Sequence, residues 1–447
     1  MKIQLPPNVN KIIGILKKNG YEAFAVGGCV RDSILQREPN DWDITTSASP
    51  QQVKELFSHT IDTGIEHGTV TVMLDRCGYE VTTYRIDGKY EDGRHPSSVS
   101  FTRNLEEDLL RRDFTINAMA YNDSRGLVDL FGGLADIEAG VIRCVGNPYA
   151  RFEEDALRLL RAIRFAAQLS YRVEDETMEA MKALAPNLRK ISAERIMTEL
   201  IKTLVSPNPD MLREAYRCGL TKEFMPEFDR IMEMEQNNPH HCYTVGEHTL
   251  HALSSVAADK ILRLTMLFHD MGKPDCYSMG EDERAHFYGH EAVSSEIAKT
   301  VMNRLRFDRD TIVKVSHMVL YHDLRILEGE TYMRRALAKV GESYFPMLFE
   351  VWEADVAAQS TYKRDEKIER IRRNREDYAA IIAKGNCVSK ATLAVKGADL
   401  IEKGMKPGKE IGVLLDRMLE DVIEFPEHND KEYLLGYYLK DSSVKRS

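Results

Sequence analysis

Apolar positions spaced three and four apart over Val9–Lys18 predict an amphipathic helix, and the apolar run Ala23–Val26 after it predicts a short strand. Asp41-Trp42-Asp43-Ile44-Thr45-Thr46 reads as a second strand. Alternation at period two over Thr69–Leu74 and Tyr79–Ile86, around Asp75-Arg76-Cys77-Gly78, predicts a hairpin with glycine in its turn. The stretch Arg85–Ser100 is rich in Gly, Asp, Pro and charge and predicts an exposed loop. Beyond Glu153 the pattern changes to a 3.6-residue period with few strand candidates. The expectation is an α+β fold: an N-terminal head with a small β-sheet, then an all-α body. Breaks are expected near Gly146-Asn147-Pro148, around Asn237-Asn238-Pro239 and near residue 360. They divide the chain into segments 1–145, 146–236, 237–360 and 361–447. No internal repeat points to a solenoid or propeller.

Composition narrows the class. The 447 residues suggest about three domains at ~150 residues each. No apolar run approaches the ~18 residues of a membrane span, which argues against an integral membrane protein. The opening MKIQLPPNVNKIIGILKKNG has no apolar core or small-residue cleavage site, so no secretory leader is expected. Seven cysteines without a CxxC pair point to reduced thiols and a cytoplasmic location. The net charge of −10 constrains solubility and steering, and leaves room for a local basic groove.

The candidate chemistry begins with Asp41 and Asp43. Two residues apart in a strand-like segment, they point to one face, where paired carboxylates repel unless a cation such as Mg²⁺ lies between them. Upstream, Gly27-Gly28-Cys29-Val30-Arg31-Asp32 places a glycine pair after a strand and before a helix, where backbone N–H groups can approach phosphates. Glu80 could add a third carboxylate. Arg111-Arg112-Asp113-Phe114-Thr115-Ile116-Asn117-Ala118 sets two guanidiniums beside polar groups able to hold phosphate and ribose. Read singly, these segments also fit a turn cap, an ordinary glycine turn and a solvated charged face. Glu154, Asp155, Arg158, Arg161 and Arg164 fall within a helical stretch, Glu153–Leu169, with steps of three and four. That is either an ion-pair stripe or a base-reading edge. Asp accepts from the exocyclic amino group that C and A both carry, while Arg donates to ring or carbonyl acceptors. Further on, His248, His269-Asp270 and Asp355 form an ordered set of ligand-type residues in helical sequence, with His290 and His322 as additional candidates. Any one of them could equally be a satisfied core or surface group.

Together, the Gly27–Asp32, Asp41–Asp43 and Arg111–Ala118 segments resemble the class II tRNA nucleotidyltransferase and bacterial poly(A) polymerase family. The resemblance implies that Asp41 and Asp43 carry the catalytic Mg²⁺, that Gly27, Gly28 and Arg31 line the triphosphate, and that Arg111, Arg112, Asp113 and Asn117 hold the incoming nucleotide. Glu154-Asp155-x-x-Arg158 resembles the family's EDxxR protein template, with Asp155 and Arg158 reading the base and Glu154 in support. Arg161 and Arg164 follow as nucleotide-binding candidates. Ser192-Ala193-Glu194-Arg195 with Glu199 resembles a later motif that supports this helix. The Arg85–Ser100 segment looks like the family's flexible loop, associated with the switch from C to A addition.

Gly246-Glu247-His248-Thr249-Leu250 and Leu267-Phe268-His269-Asp270-Met271-Gly272-Lys273-Pro274 are similar to the HD superfamily of metal-dependent phosphohydrolases. That likeness implies His248, His269, Asp270 and Asp355 as ligands of a divalent metal whose identity is open, with phosphohydrolase activity as a second function; the alternative is a degenerate domain that serves only as a tRNA-docking or dimerisation scaffold. The implied main function is template-free addition and repair of the 3′-terminal CCA of tRNA from CTP and ATP, with release of pyrophosphate. Rival readings are a CC-adding or A-adding enzyme, a poly(A) polymerase, an HD phosphohydrolase with a regulatory nucleotide-binding head, and an RNA-binding scaffold. The basic stretch Tyr362–Asp377 reads as a solvated, ion-paired helix or a contact to the tRNA backbone. The residues after Val388 carry no assignment.

Overall fold

The computed structural model describes residues 2–88, 99–281 and 283–444. They form two compact units, Met1–Asp229 with Asn303–Phe307, and Arg230–Met302 with Asp308–Ser447.

The first unit is built on a seven-stranded sheet. Its strands are β1 (Ala23–Val26), β2 (Ile44–Thr46), β3 (Thr60–Gly64), β4 (Thr69–Leu74), β5 (Cys77–Thr83), β6 (Met119–Asn122) and β7 (Gly126–Asp129). In space they run β3-β4-β5-β2-β1-β6-β7, with only β2 and β5 parallel. Strand β1 is buried along its whole length, as a central Ala-Phe-Ala-Val strand must be. Phe24, Val26 and Ala120 pack with Tyr84, Leu105, Leu109 and Val128 into a core cluster. This cluster anchors the Leu105–Leu110 helix to the sheet.

Four expectations need correction. Strand β2 begins only at Ile44, so Asp41-Trp42-Asp43 is the irregular approach to it, although the Asp43 carbonyl still accepts the Val26 N–H at 3.0 Å. The hairpin turn is the two residues Asp75 and Arg76, with φ of 50° and 65°, between the paired Leu74 and Cys77. Both central residues of such a primed turn need positive φ. Gly78 therefore sits in β5 opposite Met73, where a Cβ would stand 2.9 Å from the Thr71 Cγ2. The expected loop after Tyr84 starts and ends as an antiparallel ribbon, Arg85–Asp87 against Val99–Phe101, while residues 89–98 lie outside the described part.

The fourth correction concerns the helix carrying Glu154 and Arg158. It is two helices, Pro148–Glu154 and Leu157–Leu169, meeting at Asp155-Ala156. Asp155 leaves the helical region (φ −140°, ψ 103°), and its Oδ1 accepts the Leu157 N–H at 3.0 Å. A short acidic side chain offers the backbone this local alternative to continuous helix.

The second unit is mainly helical, with Val245–Ser255, Lys260–Phe268, His290–Arg304, Arg309–Leu320, Phe345–Ala358 and Arg364–Lys384 among its helices. Arg372 and Arg373 on the last of these pair with Glu369, and Arg375 pairs with Glu353, as in the expected ion-paired helix. The unassigned C-terminal stretch has its own apolar core of Leu393, Val395, Leu400, Met418, Val422 and Leu434. Among the described residues, no helix is long and apolar enough to cross a membrane.

Candidate functional site

In the first unit, Gly27 turns the chain out of β1 at φ +81°, ψ −129°, a conformation only glycine adopts without strain. A Cβ there would stand 2.9 Å from Arg112 Nη1, so the glycine also lets that guanidinium lie against the turn. Gly27→Ala should therefore cost about 1–3 kcal/mol of stability and displace Arg112. Thermal denaturation and the KM for nucleotide would show both effects, and an unchanged KM would disconnect the turn from binding. The helix opened by Gly28 is only seven residues long, so the positive charge here comes from side chains.

Arg31, Arg111 and Arg112 are each held from behind. Arg31 donates to Asn117 Oδ1 at 2.6 Å and pairs with Asp32 at 2.8 Å. Asn117 Nδ2 donates to Asp113 Oδ1 at 3.1 Å, and Arg161 closes on Asp113 Oδ2 through Nε at 2.8 Å and Nη2 at 2.5 Å. Burial would raise the Asp113 carboxyl, but Arg161 and Asn117 hold it well below the usual carboxylate range. Arg31, Arg161 and Arg164 also crowd the Phe165 ring, their guanidinium carbons 5.1, 5.3 and 3.9 Å from its centre.

The residue that organises Arg111 and Arg112 was not singled out from the sequence. Asp108, fully buried, accepts Arg111 Nε at 3.0 Å and Nη2 at 2.8 Å, lies 3.7 Å from Arg112 Nη2, and accepts Thr45 Oγ1 at 3.0 Å. Thr45 lies two residues beyond Asp43, so one carboxylate ties the strand entered from the acidic segment to the arginine pair. Its sequence signal was an acid three and four positions before two arginines.

Asp41 and Asp43 reach solvent at the end of β2, and Glu80 on β5 faces them. Desolvation and then Asp41 raise the Asp43 carboxyl, with Arg112 opposing them. Desolvation, Asp43 and Asp41 raise Glu80 in turn. Three acidic groups that load one another in this way suit a divalent cation with oxygen ligands.

The helix joint lies against this arginine group. Arg158, 8% exposed, donates to Glu154 Oε2 at 2.6 Å, to the Arg151 carbonyl at 3.0 Å and to the Arg111 carbonyl at 2.9 Å. Arg195 donates to Asp155 Oδ2 at 2.7 Å. Each Asp155 oxygen thus holds one donor and keeps acceptor capacity for another. Glu154 is clasped by Arg151 and Arg158. Arg164 is engaged by the buried Glu199 at 2.5 Å, which gives it a packing role in this state.

In the second unit, His248, His269, Asp270 and Asp355 come together. His248 Nε2 stands 2.9 Å from Asp355 Oδ1, 3.3 Å from His269 Nε2 and 3.6 Å from Asp270 Oδ2. His290 and His322 join from the other side, at 3.4 and 3.7 Å from Asp270 Oδ1. Lys273, buried, lies 2.7 Å from Asp270 Oδ2 and donates to Gln236 at 2.9 Å. Burial acts to raise the Asp270 carboxyl, but His269 and Lys273 hold it well below its ordinary value.

Comparison with known families matches residues 23–143 to "Poly A polymerase head domain", 170–232 to "Probable RNA and SrmB- binding site of polymerase A", and 286–437 to "tRNA nucleotidyltransferase domain 2 putative". The chain is 49% identical over 213 residues to a CCA-adding enzyme of Limosilactobacillus reuteri, an alignment covering 47% of this chain and 53% of that one. It thus spans about half the length of such curated relatives. It is 41% identical over 280 residues to the CCA-adding enzyme of Streptococcus gordonii, covering 60% of this chain and 70% of that protein. The crystal structure of the Bacillus stearothermophilus CCA-adding enzyme in complex with CTP superposes with a TM-score of 0.72 at 28% identity, over 99% of both chains. With the glycine turn, acidic segment, arginine pair and EDxxR joint all in the first unit, the chain belongs to the family of CCA-adding enzymes.

Proposed function

We propose that this chain adds and repairs the 3′-terminal CCA of tRNA, using CTP and ATP without a nucleic-acid template and releasing pyrophosphate. The observation that carries the reading is the continuous network from Thr45 through Asp108 to Arg111, whose carbonyl in turn accepts from the template candidate Arg158. It joins an acidic pair suited to metal, a cationic wall suited to triphosphate and a side-chain pair suited to one base edge. The relatives named as CCA-adding enzymes support the same assignment.

Asp41 and Asp43, with Glu80 facing them, would hold Mg²⁺. Bound there, the ion supplies positive charge at the α-phosphate and favours the deprotonated form of the tRNA 3′-hydroxyl. The chain's own residues do the rest. Arg31 and Arg112 beside the Gly27 turn neutralise and orient the triphosphate, and the fixed Asp113–Arg161–Asn117 set keeps Arg31 in place without reorganisation at the moment of reaction. Asp155 accepts from the amino group of C or A, and Arg158 donates to the neighbouring ring acceptor after giving up one of its present partners. U presents a carbonyl where Asp155 needs a donor, and is rejected. A cytoplasmic location fits this substrate and the free state of the cysteines.

The test is to incubate the protein with tRNA ending at the discriminator base, together with CTP, ATP and Mg²⁺, and to sequence the products. Addition of CCA is expected. A product ending in CC, a single A or a long A tract would replace the specificity assignment with one of the rival readings. Arg158→Ala should lower the ratio of kcat/KM for CTP over UTP by roughly 10–100-fold, the ~1–3 kcal/mol carried by a good base-edge contact. An unchanged ratio would remove Arg158 from base reading.

A second reading applies to the other unit. The convergence of His248, His269, Asp270 and Asp355 supports a divalent-metal centre with phosphohydrolase activity. Release of phosphate from a phosphate ester, lost in His269→Gln while nucleotide addition persists, is its test.

A further inference from the structure

A pocket of about 410 Å³ in the second unit is lined by Cys242, Tyr243, His251 and Ser255 on one side, and by residues 357–361 and Arg364 on the other. Its volume falls in the range of small-molecule sites. No member of the His–Asp cluster lines it, although the two share a wall. The Ala358 carbonyl stands 3.3 Å from His248 Nδ1, and Gln359 Nε2 donates to Asp355 Oδ2 at 2.7 Å.

Three features of the lining define a ligand. The first is aromatic: Tyr243 stacks on His251 with ring centres 4.3 Å and planes 28° apart, and Tyr243 is 40% exposed. A stacked pair that stays this open offers a face to a further planar ring, as aromatic side chains do to nucleobases. The second is cationic. Arg364 Nη2 donates to the Ala357 carbonyl at 3.4 Å and to the Gln359 carbonyl, and its Nε is buried without a partner. Its partners are neutral, and among the described residues no carboxylate pairs with it. Lys367 donates to Gln359 Oε1 and adds a second positive charge beside the same segment. A guanidinium without a counter-charge suits a phosphate. The third is a pair of hydroxyls. Ser255 Oγ donates to the His251 carbonyl at 2.9 Å and Ser360 Oγ to the Pro239 carbonyl at 2.5 Å. Each spends its hydrogen on the protein and keeps a lone pair, so each accepts from a ligand donor.

From this lining we propose that the pocket binds a nucleoside monophosphate whose base carries an exocyclic amino group, such as AMP or CMP. The base stacks on the Tyr243–His251 pair, the phosphate pairs with Arg364, and the amino group donates to the serine oxygens. This site is separate from the nucleotide site of the first unit and needs no metal ion, so it stands independently of both functional readings above.

The experiment uses the full chain with chelator present and reads two exposed thiols, Cys242 in the pocket and Cys77 in the first unit. Alkylation by N-ethylmaleimide, followed at each thiol by peptide mass spectrometry across a titration of AMP, reports occupancy of the pocket alone. AMP should slow alkylation of Cys242 and leave Cys77 unchanged. The concentration for half-protection should rise at least about tenfold in Arg364→Ala and in Tyr243→Ala, as for loss of a charged hydrogen bond or a stacked ring. Adenosine, which lacks the phosphate, and IMP, which carries a carbonyl in place of the amino group, should each protect more weakly than AMP by about tenfold. No protection of Cys242, or equal slowing at both thiols, would overturn the site. Half-protection unchanged in both variants would also overturn it, and IMP matching AMP would overturn the amino-group assignment. Should Arg364→Ala fail to fold, the comparison of AMP with adenosine on the parent tests the same contact.

Discussion

Asp41→Asn or Asp43→Asn should reduce nucleotide addition at least about a thousandfold, a loss of roughly 4 kcal/mol of transition-state stabilisation. Asn keeps the shape of the side chain and removes the charge that draws a cation to the end of β2. Both aspartates reach solvent, so neither substitution strands a partner in the core, and thermal stability should stay close to that of the parent. If the two act as one metal-holding unit, the double variant should be little worse than either single one, because groups that serve one function are not additive. Single-turnover incorporation of labelled CMP into tRNA, beside nucleotide binding by equilibrium dialysis, separates the chemical step from binding. Incorporation within tenfold of the parent in both single variants would remove the acidic pair from catalysis. A loss confined to one of them would mark the other as a solvated neighbour.

Much of this site was legible because its chemistry is local in sequence. The Gly27–Asp32 turn, the Asp41–Asp43 segment, Arg111–Ala118 and Glu154–Arg158 each carry their own residue types at fixed spacing, and the fold brings all of them into the first unit. What escaped depended on burial or on a local contest that periodicity does not register. The 3.6-residue pattern runs unbroken across Asp155, yet the Asp155 side chain captures the Leu157 N–H and splits the helix. The hairpin turn fell to Asp75 and Arg76 instead of Gly78, because pairing of Leu74 with Cys77 left just two residues to cross. Asp108 stands in a segment with no assignment in the sequence, and only the packing of its helix against the sheet makes it a buried hub. His290 and His322 were candidates in the sequence, but their approach to Asp270 from 20 and 52 residues further along the chain is something no spacing rule measures.

Asp108→Ala should be the most destabilising single substitution in the first unit, at about 3–5 kcal/mol, because it strands one partner of a buried ionic cluster. Asp108 is fully buried and holds Arg111, Arg112 and Thr45 together; without it the two guanidiniums lose the buried carboxylate that they share. At about 2–4 °C per kcal/mol for a unit of this size, the melting temperature should fall by on the order of 10 °C. Thr45→Val removes one neutral donor from the same carboxylate and should cost only about 1 kcal/mol, which separates the ionic part from the packing part. The pH dependence follows from the same residues. Arg111 and Arg112 outweigh burial at Asp108, and Arg161 and Asn117 do so at Asp113, so both folded-state values lie below the ordinary carboxylate value of about 4. Their contribution is complete above that value and is lost as pH falls through the lowered folded values. The wild-type melting temperature should therefore drop on acidification below about pH 4, and the drop should be shallower in Asp108→Ala, which has already lost one of the two groups. Differential scanning calorimetry between neutral pH and about pH 3 reads both effects. Parallel curves for the two proteins would mean that other carboxylates control acid stability, and a neutral-pH change under about 1 kcal/mol would mean that the arginines hold their places without Asp108.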